Sequence, residues 1–86
     1  SQKMSFEVTV EYKYEPQTVL WAYFPDDADW SPDAQQFQIN GCRIKKITLG
    51  PRTDQPKKGF FSIFLKEKND IQKFENNRSY KIERIG

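Results

Sequence analysis

Histidine is absent from this sequence, cysteine occurs once, and the four glycines stand far apart. Without histidine the chain lacks the commonest general base and the usual imidazole ligand for a metal. A single cysteine, Cys42, forms no internal disulfide, so the fold does not rely on an oxidising compartment. With no imidazole to activate it, Cys42 is expected to pack as a small buried side chain. Gly41, Gly50, Gly59 and Gly86 are too scattered to build a phosphate-cradling loop. No apolar run approaches the roughly 20 residues of a membrane helix, and no signal-peptide core is present. Together these absences lead to the expectation of a cytoplasmic protein that is not an enzyme and holds no cofactor or metal. Carboxylate pairs are the one acid/base resource left.

Aromatic residues are plentiful. Seven Phe, four Tyr and two Trp make up 15% of the chain, enough to offset a hydrophobic fraction of only 36% beside 30% charged residues. Eighty-six residues suffice for one modest core and not for two. Residues 4–86 are therefore expected to form a single β-rich domain. Ser1-Gln2-Lys3 ahead of Met4 reads as a remnant added to a native start, or the chain is a domain cut from a longer protein.

The clearest local signal is Phe37-Gln38-Ile39-Asn40-Gly41-Cys42-Arg43-Ile44. Asn-Gly between two alternating runs predicts a type I′ hairpin, because that turn needs φ > 0 at both central residues. The register sets Ile39 against Cys42 and Phe37 against Ile44 on an apolar face, with Gln38 against Arg43 and Gln36 against Lys45 on a polar one. Beyond Ile44 the parity slips, since Ile47 and Leu49 fall out of phase, and a bulge near Lys45-Lys46 accounts for it.

Ser5 to Glu15 alternates almost without fault, predicting a half-buried strand with Phe6, Val8, Val10, Tyr12 and Tyr14 on one face. Pro16-Gln17 ends it in a tight connection. Thr18 to Phe24 is nearly continuous apolar sequence, a strand covered on both faces. Its faces are Val19/Trp21/Tyr23 and Leu20/Ala22/Phe24; one lines the core, and the other is covered or forms an exposed aromatic row suited to binding. Ser31-Pro32-Asp33 has the grammar of a helix start, with a turn expected over Pro32 to Gln35. Phe60 to Leu65 is a second continuous apolar strand. Asn69 to Asn76 is expected to form one or two helical turns, capped by Asn69 or Asp70, with Ile71 and Phe74 on one side. Arg78 to Ile85 closes the chain as a strand with Tyr80 and Ile82 inward. About six strands with one or two short helical turns suit an all-β, mainly antiparallel fold, a small partly open barrel of the OB or SH3-like type. The alternative is an α+β sheet with one helix across a face.

Charge is unevenly distributed. Residues 1–40 hold two lysines against seven carboxylates, and residues 41–86 hold twelve Lys and Arg against five carboxylates. Such a division marks either a nucleic-acid face or acidic and basic strands lying side by side. In the acidic loop, Asp26, Asp27, Asp29 and Asp33 surround Trp30. An aromatic anchor ringed by acids fits docking to a basic protein partner, the first functional expectation. Asp27, Asp29, Ser31 and Asp33 also follow the ligand spacing that opens an EF-hand loop, but Pro32 and Gln38 occupy its glycine and glutamate positions, so a solvated loop is expected. The second expectation is a single-stranded DNA or RNA surface. Arg43, Lys45 and Lys46 on the hairpin and Arg52, Lys57 and Lys58 in the next loop would hold phosphates, while Tyr23 and Phe61 stack bases. A third and lesser reading takes Trp21, Tyr23 or Trp30 as a sugar-stacking platform.

Overall fold

A computed structural model of the chain describes residues 5–28, 36–51 and 59–85. It is all-β, with six strands: β1 (Ser5–Tyr14), β2 (Val19–Tyr23), β3 (Phe37–Ile39), β4 (Cys42–Leu49), β5 (Phe60–Leu65) and β6 (Arg78–Arg84). They close into a barrel in the order β1-β2-β5-β4-β3-β6, a small barrel of the expected OB/SH3-like kind, closed rather than partly open. Every neighbouring pair is antiparallel, which an even number of strands permits all the way round the ring. β3, β4 and β5 follow one another as hairpins, and β6 returns to lie beside β3, the Greek-key arrangement.

Local chemistry explains the connections. Glu15–Gln17 forms a 3-10 turn with Pro16 in its first positions, and Thr18 leaves it in the left-handed conformation at φ 54°. Asn40 and Gly41 have φ 51° and 77°, as the predicted hairpin turn requires, and Ile39 pairs with Cys42 and Gln38 with Arg43. Between β5 and β6, Lys68–Lys73 is a 3-10 helix whose cap position is Glu67, with no side-chain cap bond. The expected cap by Asn69 or Asp70 is not used; Asp70 instead pairs with Lys73 at 3.3 Å. Ile71 and Phe74 are buried as expected and plug that end of the barrel. The turn expected over Pro32 to Gln35 lies outside the described residues.

Two strands carry bulges, at Val10/Tyr12 in β1 and at Ile44/Lys46 in β4. The second is the predicted one. The first corrects the expectation of a uniformly alternating β1. Phe6, Val8 and Val10 point inward, but the extra residue re-phases the strand, so Tyr12 lies beside Trp21 on the outside and is 46% exposed. The interior is filled by Val8, Val10, Leu20, Ala22, Phe37, Ile39, Cys42, Ile44, Ile63 and Ile82 with the plug residues. Among the described residues no helix is long and apolar enough to cross a membrane.

Gly41 and Gly59 both have positive φ but differ in surroundings. A Cβ on Gly41 meets nothing within 4 Å, whereas one on Gly59 lies 2.9 Å from the Phe24 carbonyl oxygen, close because the Phe24 N–H donates to the Gly59 carbonyl. Gly41→Ala is expected to cost about 1 kcal/mol from the backbone alone, and Gly59→Ala about 2 kcal/mol or more because the backbone must also separate. Urea unfolding of the two variants checks the order.

Candidate functional site

The side chains that leave the barrel on β2 and β5 are mostly aromatic. Leu20, Ala22 and Phe24 of the β2 segment face the core, so Val19, Trp21 and Tyr23 face out. Their β5 partners Phe64, Ser62 and Phe60 share that outer face. From β1, re-phased by its bulge, Tyr12 and Tyr14 lie nearly parallel to Trp21, with ring centroids 5.7 and 5.4 Å away and interplanar angles of 22° and 14°. Tyr23 packs on Phe60 at 4.7 Å. The rings form a layer outside the barrel wall. Under it Val19 is 1% and Ser62 5% exposed, although neither belongs to the interior cluster.

This layer meets cations along β4. After its bulge, Lys46 pairs with Phe64 in register, and its Nζ lies 4.7 Å from the Phe64 ring centroid, a cation-π contact. The outward row of β5, Phe60, Ser62 and Phe64, runs on into Lys66, whose backbone N–H donates to the Arg43 carbonyl. There the bulge opens a cleft of about 340 Å³ lined by Arg43, Ile44, Lys45 and Lys66. Ile44 is buried and the three cations are exposed. Among the described residues, no carboxylate forms an ion pair with Arg43, Lys45 or Lys66.

The structure brings together part of the predicted nucleic-acid set. Arg43, Lys45 and Lys46 are exposed on β4, and Tyr23 is on the outer face. Phe61 points the other way, tilted against Phe24 at 4.9 Å and packed on the core, and Phe60 takes its place outside. Arg52, Lys57 and Lys58 lie outside the described residues. Of the docking loop, Asp26 and Asp27 are exposed, while Asp29, Trp30 and Asp33 lie outside the described residues, as does Ser31. Sequence reasoning missed Tyr12, Tyr14, Phe64 and Lys66. The available signal for Phe64 and Lys66 was the apolar content of both faces of β5, running straight into a lysine.

Cys42 is buried and joins the core as expected. Its thiol pKa is raised, chiefly by burial and then by the Asp70 carboxylate, with Lys73 partly opposing. Lys73 is raised in turn by its hydrogen bond to Asp70. Among the described residues no three His, Cys, Asp or Glu side chains converge to hold a metal. No family model, curated protein or solved structure matches the chain.

A thiol whose folded pKa is raised favours the protonated state. Its contribution is complete below the ordinary value of 9.0 and is lost as pH rises through the folded value. Stability is therefore expected to fall above about pH 9, and Cys42→Ala to flatten that part of the profile. Denaturant midpoints measured from pH 7 to 10 on both proteins test this. Thiol reagents are expected to label Cys42 only on unfolding.

Proposed function

We propose that the protein is a non-enzymatic binding module whose outer aromatic face takes single-stranded nucleic acid. The observation that carries this reading is the near-parallel Tyr12–Trp21–Tyr14 group on the same wall as Phe64 with Lys46. Single strands need flat rings for bases and cations for phosphates, and a duplex hides the base faces that such rings would meet. The cations sit at one border of the aromatic layer, so a strand can lie on the rings with its phosphates directed to β4. The cytoplasm is the compartment proposed, because the fold holds with a free thiol.

The acidic loop with Trp30 offered a protein-docking reading, and the same rings could stack on sugars. The outer wall favours nucleic acid over both, because Lys46, Arg43, Lys45 and Lys66 border it and their charge serves a polyanion.

Fluorescence anisotropy with labelled single-stranded DNA, RNA and duplex separates these readings. Single strands are expected to bind more tightly than duplex. Each phosphate contact on the β4 cations is expected to add about −0.7 to the log–log salt slope. Tyr12→Ala is expected to weaken binding by about 1–3 kcal/mol, the order of one lost stacking contact, with stability little changed. Absence of binding at low salt overturns the proposal. Retained binding to a protein partner that Trp30→Ala abolishes would then support the loop, and binding to oligosaccharides would support the sugar reading.

A further inference from the structure

The three cations of the β4 cleft are concentrated differently from what an internal phosphodiester needs. Along a strand each diester carries one negative charge, and a track that follows it spaces its cations accordingly. Here Arg43, Lys45 and Lys66 share one cleft of about 340 Å³, and none of them forms an ion pair with a described carboxylate. The cleft is also at the margin of the aromatic layer, reached from Phe64 through Lys66 on β5 and through Lys46 on β4. On the far side of β4 the wall continues in β3, which carries Gln38 outward and no further ring. A strand lying on the rings and running toward β4 therefore ends its stacking surface at the cleft that Arg43, Lys45 and Lys66 line.

We propose that this cleft binds the terminal phosphomonoester of a single strand, so that the protein prefers a phosphorylated end to a hydroxyl end. A terminal phosphomonoester carries about −1.5 to −2 charge at pH 7 and three acceptor oxygens. The Arg43 guanidinium offers a planar pair of donors, and the two ammonium groups add point charges. The proposal rests on the nucleic-acid reading and specifies which chemical group fixes the strand's position.

The test uses short single strands with a 5′-phosphate, a 3′-phosphate or hydroxyls at both ends, each labelled at an unmodified position. One phosphorylated end is expected to bind about tenfold more tightly than the hydroxyl strand at low salt, the order of one added charge-assisted contact. That preference is expected to shrink below about pH 6, as the second phosphate ionisation is lost. In Lys66→Gln and Arg43→Gln the phosphorylated and hydroxyl strands are expected to converge in affinity. Inorganic phosphate added to the unaltered protein is expected to erase the preference while leaving the hydroxyl strand bound. Equal affinities in the unaltered protein, or a preference that persists in both variants, overturn the cleft assignment while leaving the outer-face reading intact. Displacement by inorganic phosphate without any end preference identifies an anion site unrelated to strand ends and overturns it too. Failure of every strand to bind overturns both readings.

Discussion

Closing six short strands into a ring requires some of them to bend, and in this barrel the bending is concentrated in two bulges. β1 pairs with β6 through Ser5–Val10 and with β2 through Thr9–Tyr14, with its bulge between Val10 and Tyr12 where the partners change over. β4 pairs with β3 through Cys42 and Arg43 and with β5 from Ile44 onward, with its bulge between Ile44 and Lys46. Each bulge therefore lies at a corner where a strand leaves one partner and turns along another. An extra residue at such a corner raises the local twist and bends the strand, which flat pairing cannot do.

Because side chains alternate with period two, each corner also re-phases everything after it. In β1 this moves Tyr12 and Tyr14 outside to meet Trp21, and in β4 it turns Lys46 outward over Phe64. The device that closes the barrel thus also assembles the outer aromatic layer and its cationic border. The layer has a stabilising role of its own. Offset aromatic pairs contribute about 0.5–1.5 kcal/mol each beyond burial, and the rings keep Val19 and Ser62 dry. Trp21 is half-buried within the layer, whereas Tyr12 at the exposed edge is the member most separable from the fold.

Much of the architecture was legible because local chemistry and pattern agreed. Asn40-Gly41 set a turn type and a register, and the slip of Ile47 and Leu49 against Ile44 announced the β4 bulge. Nearly continuous apolar sequence from Thr18 to Phe24 and from Phe60 to Leu65 announced strands covered on both sides. The β1 bulge left no such trace. Tyrosine is at home on either face, so Tyr12 and Tyr14 kept a perfect alternation in sequence while changing sides in space. The outer layer was consequently read only as a possible Val19/Trp21/Tyr23 row, without its β1 members, and the distinction between Phe60 and Phe61 went unread, because it depends on the pairing of Ala22 with Phe61 and Tyr23 with Phe60. The missed helix cap has a similar origin. Capping grammar describes α-helices, and a 3-10 segment of six residues left Asp70 free to pair with Lys73 instead.

Topology also divides the basic half of the chain into two parts with different meanings. β6 lies between β1 and β3, so its charges face strands from the acidic half: Lys81 is opposite Glu7, and Glu83 is opposite Gln38. Arg78 is held by Glu75 at 3.0 Å, and Arg84 donates to Gln36 and lies over Phe37. In this part Lys81 alone faces an opposite charge across strands, while Arg78 is balanced by a neighbour in sequence and Arg84 is held by neutral partners. β4 lies instead between β3 and β5, whose residues Phe37–Ile39 and Phe60–Leu65 include no carboxylate. No neighbouring strand supplies a counter-charge to Arg43, Lys45 and Lys46, and Lys66 adds to them where β5 ends. Such an excess is maintained against its own repulsion, and it stands beside the only wall of the described barrel whose outer face is aromatic. The cations and the rings are therefore neighbours on one outer wall, the two parts that the proposed single-strand surface combines.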